Sequence, residues 1–451
     1  MSSIYLLGDP WSARDRATAR RPRAQPRTDE HRPVAGVIHL PIPSALTGQH
    51  ASPAGRDEPR VPLYAAEFAA DPHAAYRRMR DRYGSLVPVE LAPGVPATLV
   101  VGYRAALRIL NDPERFPADP RAWQRSIPAD CPVLPVLEWR PSAIRSAGAE
   151  HARYRGVNTA GIDGVDLHAL HGVVGRIAVP LINAFCETGA ADLVTQYAFP
   201  LAFEAINAML GCPPEIGRKV AEATHTVFDG VDAERGNQML SAAVLELVEL
   251  KRAEPGDDIT SRVLAHPANL DEAELIHQIV VLYGAGIEPL QNLIINTLLL
   301  ILTDDRFAGS LLGGALSTRD ALDEVLFEDP PMANFSVTYP RQPILIDDVW
   351  LPANQPVVIS LAGCNNDPAI STGDHTGNRS HLAWGAGPHG CPARSAAYLI
   401  AQGAIDQLLD ALPDLRLAVP ADALTRRPGP FHRALADLPV EFPPCPQQSI
   451  L

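Results

Sequence analysis

A mainly α-helical fold with a small β subdomain is what this sequence predicts, and three observations lead there. Amphipathic stretches at helical spacing fill His168–Thr188, Leu193–Leu210, Glu215–Phe228 and Arg235–Arg252. β signals are few and short: Leu86–Leu91 and Ala97–Val101 early in the chain, Ile344–Ile346 and Val357–Leu361 late. Between the two sets, Glu274–Thr303 is apolar on nearly every face, which marks a helix buried through a core. Roughly thirty residues at about 1.5 Å each reach about 45 Å, enough to cross a large domain.

The remaining elements follow in chain order. Residues 1–58 are rich in Arg, Pro, Ala and Gly, and Arg14–Arg27 is basic without apolar periodicity, so this stretch predicts a mobile extension or a docking arm. Ile4–Leu7 is too short for a signal-peptide core. No repeat, long linker or abrupt composition change divides residues 59–445, which predicts one domain, with 446–451 as a short tail. Pro72–Tyr83 alternates apolar and basic positions as a helix does. The two early strands pair around Ala92-Pro93-Gly94, and Arg104–Leu110 is a short helix closed by Asn111-Asp112-Pro113. Late in the chain Ser395–Leu412 is an apolar helix, and from Pro413 onward short apolar runs alternate with prolines as in a hairpin-rich edge.

Composition excludes several functions. A net charge of -14 over 451 residues argues against nucleic-acid binding and against a generally basic membrane-binding surface. No uninterrupted apolar run reaches about 18 residues, so no membrane span is expected. The six cysteines (131, 186, 212, 364, 391 and 445) form no CxxC pair, which argues against a disulfide framework or a zinc site and for a reducing cytoplasm.

One of those cysteines has unusual surroundings: Trp384-Gly385-Ala386-Gly387-Pro388-His389-Gly390-Cys391-Pro392-Ala393. Glycines let backbone take left-handed angles and approach a flat partner closely. The loop opens into a helix, whose first N–H groups stabilise a thiolate. By residue type alone, Cys391 is a buried free cysteine in a turn; by setting, it is an axial sulfur ligand for haem iron. The stretch resembles the cysteine loop of cytochromes P450, in which an aromatic residue, Gly-x-Gly and x-His-x-Cys follow in order. Trp384, Gly385, Gly387, His389 and Cys391 match, and Ala393 replaces the final glycine.

Near the middle of the apolar helix lies Tyr283-Gly284-Ala285-Gly286-Ile287-Glu288-Pro289. Small residues there leave room beside the helix, and a proline removes one backbone hydrogen bond, predicting a kink. The segment looks like the central distal helix of cytochromes P450. Ala285, Gly286 and Glu288 match its pattern, while Pro289 stands where the family has a threonine that helps deliver protons to dioxygen. A third segment, His151-Ala152-Arg153-Tyr154-Arg155, puts His151 and Arg155 on one helical face, with donors suited to carboxylates. It resembles the His-x-x-x-Arg that reaches a haem propionate. By motif position His389 and Arg341 are further propionate candidates.

The pattern breaks at the helix before Asp329-Pro330-Pro331. Glu324-Val325-Leu326-Phe327 keeps the glutamate of the family's Glu-x-x-Arg and replaces the arginine by phenylalanine. The following loop, Asn365 to Ala383, is shortened and lacks Pro-x-Arg-Phe. Either Phe327 repacks the place with apolar rings, or Arg379 reaches Glu324 from a new direction. The changes resemble a bacterial P450 subgroup that dispenses with Glu-x-x-Arg.

The resemblance covers roughly residues 60–443. It implies the cytochrome P450 fold, haem b held by Cys391 with Trp384 and Gly385 beside it, and a distal side lined by Ala285, Gly286, Glu288 and Pro289. It further implies a cytoplasmic monooxygenase of an apolar small molecule, fed by a ferredoxin and its reductase docking near Arg394. Two alternatives stay open: a peroxide-driven or oxidative-coupling haem-thiolate enzyme, favoured by Pro289, and a non-catalytic haem-binding regulatory protein, favoured by the missing arginine and threonine.

Overall fold

The computed structural model describes residues 59–449 apart from 230–232, 309–315, 372–374 and 376–377. The predicted extension 1–58 lies outside the described residues.

The chain begins with β1 (Val61–Pro62), which pairs in parallel with β2 (Leu86–Ala92). Helix α1 (Pro72–Tyr83) starts where the Asp71 carboxylate accepts the Ala74 N–H at 2.9 Å; proline at its first position loses no helical bond. It stops at Gly84, whose φ of 76° suits a residue without Cβ. β2 and β3 (Val95–Val100) form the expected hairpin, with Leu86 opposite Val100 and Val87 opposite Leu99. Helix α2 (Tyr103–Leu110) follows.

The helical body comes next: α3 (Gly148–Asp163) and α4 (Leu167–Asn183), β4 (Ala190–Asp192), and a π-helical turn Val194–Ala198 leading into α5 (Phe199–Leu210). Then come α6 (Pro214–Asp229), α7 (Ala233–Ala253), α8 (Ile259–Ala265) and the central α9 (Glu272–Thr303). A reciprocal cap starts α9: Asp271 accepts the Glu274 N–H, and the Glu274 carboxylate accepts the Asp271 N–H. The helix runs without a break from Glu272 to Thr303 with Pro289 inside it. α5, α7, α10 (Thr318–Glu328) and α12 (Arg394–Ala411) pack around it. Ile279, Leu293, Ile294 and Leu298 are buried against Leu201, Ala202, Ala401 and Ile405 in one apolar core. By length and composition α9 is the one described helix able to cross a membrane, yet 61% of its apolar window is buried inside the protein, as expected of a core helix.

The small β subdomain is a five-stranded sheet ordered β1-β2-β3-β8-β5, in which β5 is Ser336–Thr338 and β8 is Val357–Ile359. β3 and β8 run parallel, with Leu99 opposite Val358, so a crossover spanning most of the chain closes the sheet. β6 (Ile344–Ile346) and β7 (Val349–Leu351) make a separate hairpin. After α11 (Leu361–Asn365) the cysteine loop leads into α12. β9 (Arg416–Leu417) and β10 (Pro439–Glu441) pair with each other, and β10 also pairs with β4. The tail is tied down: Asn183 and Gln448 exchange two hydrogen bonds.

Two polar networks fix how these layers meet. Asp329 accepts from Arg433 at 2.9 Å and from Arg426 at 3.1 Å, and lies 3.1 Å from His73. Arg426 also donates to Asn296 on α9. The second network answers the question of Glu324. Arg379 does not reach it; Arg379 donates to Asp323 at 3.0 Å, and Glu324 pairs with Arg306 on the short helix Asp305–Ala308. Phe327 repacks the arginine's place with rings, stacking on His375 at 4.0 Å and meeting His381 edge-on at 5.7 Å.

Candidate functional site

The cysteine loop is a tight, internally bonded turn. Cys391 donates its backbone N–H to Trp384 O at 2.7 Å, and Gly385 donates to Leu382 O at the same distance. Gly385 and Gly387 take φ of 68° and 66°, where a Cβ is strained. A Cβ on Gly387 would also collide with the carbonyl of Leu110, so the loop seats directly on the end of α2. Burial pushes the Cys391 thiol up; the Ala393 N–H, then Arg155 and Arg394, pull the other way by favouring a thiolate.

Arg155 belongs to a group of buried, nitrogen-bearing side chains beside this loop. His151 and His389, from α3 and the cysteine loop, stack with ring centroids 4.0 Å apart. Burial first, and then His151, Arg155 and Arg145, push His389 down to about 3. His151 and Arg155 are also lowered, in both cases mainly by burial. His151 Nε2, Arg155 Nε and His389 Nδ1 are buried and have no hydrogen-bond partner. Unpaired buried polar groups of this kind cost about 1–3 kcal/mol each, so the cluster suits an anion, with Arg155 as its fixed cation and the two imidazoles able to donate in the fitting tautomer or once protonated. Two carboxylates on one rigid, flat ligand satisfy this need, and the donors fit the propionates of haem.

Sequence reasoning missed Arg145. It is 5% exposed, donates to Val136 O at 2.6 Å and lies over the Phe335 ring, adding positive field behind His389. Its one signal was its place shortly before the His151 segment. Arg341, expected beside the propionates, is exposed; its field acts on Asp119, and among the described residues no hydrogen bond joins it to His151, Arg155 or His389. The strand–hairpin segment after β5 carries it to the surface.

Across from the loop, α9 opens. Ala285 is exposed in the middle of an otherwise buried helix, and Val281, Leu282, Glu288 and Pro289 are partly exposed around it. Val281, Ala285 and Pro289 lie four apart, hence on one face. Gly286 is not on that face: a Cβ there would press into Ile206 of α5, so this glycine serves close helix packing. Glu288 lies at the edge of the opening and is bonded there. Arg427, from the C-terminal segment, donates to it at 2.7 Å. Burial raises the Glu288 carboxyl and Arg427 opposes the shift. Arg427 is a second residue sequence reasoning missed, and only its position in Arg426-Arg427-Pro428 set it apart.

No family model matches the chain. Among curated proteins, it is 29% identical to cytochrome P450 107B1 of Saccharopolyspora erythraea, over 83% of this chain and 95% of that one. It is 28% identical to the cytochrome P450 monooxygenase PikC of Streptomyces venezuelae, over 83% and 92% of the two chains. Among solved structures, CYP154C4 from Streptomyces sp. W2061 superposes with a TM-score of 0.77 at 26% identity, covering 87% of this chain and all of that one.

Proposed function

We propose that this chain, a cytochrome P450 of the bacterial type that works with haem b, is a monooxygenase in which Cys391 is the iron ligand. The observation that carries the assignment is the convergence of a glycine-shaped cysteine loop with three buried, unpartnered nitrogens on His151, Arg155 and His389. The bound haem supplies the oxidising chemistry, with the thiolate pushing electron density toward it.

The chain's own residues do the rest. The Ala393 N–H donates to the Cys391 sulfur and favours its charged form. Arg155, His151 and His389 orient the flat ligand by its carboxylates. The open face around Ala285 gives the substrate an apolar wall, which supports an apolar small molecule. Glu288, pinned by Arg427, is the titratable group at the edge of that face.

Electrons come, in this reading, from a ferredoxin and its reductase. A cleft of about 530 Å³ beside Trp384 and the start of α12 is lined by Arg319, Arg379 and Arg394 together with Asp323 and Asp406; Arg379 pairs with Asp323, and Arg319 and Arg394 suit an acidic donor protein. Six free cysteines suit the cytoplasm. Pro289 supports a second reading, a peroxide-driven enzyme, because no hydroxyl stands at that position. The deciding experiment is the carbon monoxide difference spectrum of the reduced protein, followed by turnover with either ferredoxin and NAD(P)H or peroxide. A thiolate signature lost in Cys391→Ser supports the assignment; an unchanged spectrum in that variant overturns it.

A further inference from the structure

The cysteine loop has to be held against the helices behind it, and the pair expected to do this is absent: Glu324 faces Arg306 near the surface and Phe327 carries no charge. One residue earlier, Asp323 has only 4% of its side chain exposed and is bonded on both sides. Arg379, which immediately precedes the His381–Trp384 turn, donates to its Oδ2 at 3.0 Å. Tyr398 of α12, on the first turns after the cysteine, places its hydroxyl 2.9 Å from its Oδ1. A single buried carboxylate on α10 thus joins the segment entering the loop to the helix leaving it.

Neighbouring contacts run along the same helical face. Asp323 and Phe327 are four apart, so the His375 and His381 rings pack one turn below Asp323. Asn365, fully buried, donates to the carbonyls of Leu326 and Phe327 and accepts the Leu382 N–H at 2.7 Å. The anchor has moved from one helical position to the adjacent one, roughly 100° around α10.

We propose that Asp323, Arg379 and Tyr398 form the clamp that holds the cysteine loop in its ligating position, with Asp323 in the role that Glu324 was expected to play. The proposal rests on the assignment of Cys391 as the iron ligand. These are positioning residues, acting on the iron through the loop.

The test compares Asp323→Asn, Arg379→Gln, Arg379→Lys and Glu324→Gln in the haem-loaded full chain. It reads the thiolate-ligated fraction from the reduced carbon monoxide spectrum and helix content from circular dichroism. Asp323→Asn and Arg379→Gln are expected to lower that fraction about tenfold with helix content kept, as for loss of a charge-assisted bond. Arg379→Lys should recover part of the signal, and Glu324→Gln should stay within about twofold of the parent, since its partner Arg306 sits on the helix Asp305–Ala308 and not on the cysteine loop. Equal loss at Glu324 and Asp323, or full retention in Asp323→Asn, overturns the clamp. Should Asp323→Asn not fold, Arg379→Gln decides, because that side chain is half exposed. Amide exchange across residues 381–391 of the haem-free chain separates the two ideas: faster exchange in Arg379→Gln supports the clamp even if the parent shows no thiolate signature, and unchanged exchange refutes it.

Discussion

The imidazoles of His151 and His389 stack 4.0 Å apart, and each keeps one buried ring nitrogen without a partner. Two helix-and-loop segments distant in sequence have been brought together with unpartnered ring nitrogens, beside Arg155 and within the field of Arg145.

Removing those side chains should weaken haem binding and leave the fold alone. Arg155→Ala is expected to reduce haem affinity by about 10- to 100-fold, the equivalent of about 1.5–3 kcal/mol for a bond to a charged group. His151→Ala should act in the same direction and less strongly. Titration of haem into the apoprotein, with circular dichroism as the control, measures both.

Gly387→Ala should be the most damaging change in the cysteine loop. The left-handed angle alone costs about 1–2 kcal/mol, and the collision with the Leu110 carbonyl adds to it. A melting temperature lowered by several degrees, with haem loss, is the expected result. Gly390→Ala, where φ is negative and the nearest atom is 3.3 Å away, should be milder.

The haem-free chain should lose stability as pH falls below about 6.5, the ordinary histidine value. His432 and His381 are each pushed down to about 4, mainly by burial. Between about 6.5 and 4 the unfolded chain takes up protons that the folded chain refuses, so stability is full above that window and declines through it at up to about 1.4 kcal/mol per pH unit for each ring. Denaturant melts at pH 7, 6 and 5 measure the slope, and His432→Gln should flatten it.

Pro289→Thr places a hydroxyl on the open face of α9 and gives back one helical N–H. If the missing hydroxyl limits oxygen use, product formed per NAD(P)H should rise and peroxide release should fall. An unchanged ratio, together with brisk peroxide-driven turnover in the parent, would favour the peroxide-driven reading.

Much of the architecture was readable from local signals. The α1 range Pro72–Tyr83 and the β6 range Ile344–Ile346 were predicted to the residue, and α9 starts only two residues earlier than expected, because its first turn is set by a capping box and not by apolar spacing. The cysteine loop was readable because glycine spacing constrains backbone directly. Arg341 is exposed, which its motif position could not foretell, because exposure depends on where a hairpin turns. Gly286 was assigned to the open face, yet helix rotation turns it toward Ile206.

By itself, the sequence determined the helical body, the β2–β3 hairpin and the turn that presents Cys391, since each depends on residues within a few positions of one another, whereas the β3–β8 pairing that closes the sheet joins residues far apart in the chain. Only the tertiary structure decided which charges meet: Arg427 with Glu288, Arg379 with Asp323 and Glu324 with Arg306. Long arginine side chains can reach several acids, and the choice among them rests on burial and helix rotation, which no local pattern of residues encodes.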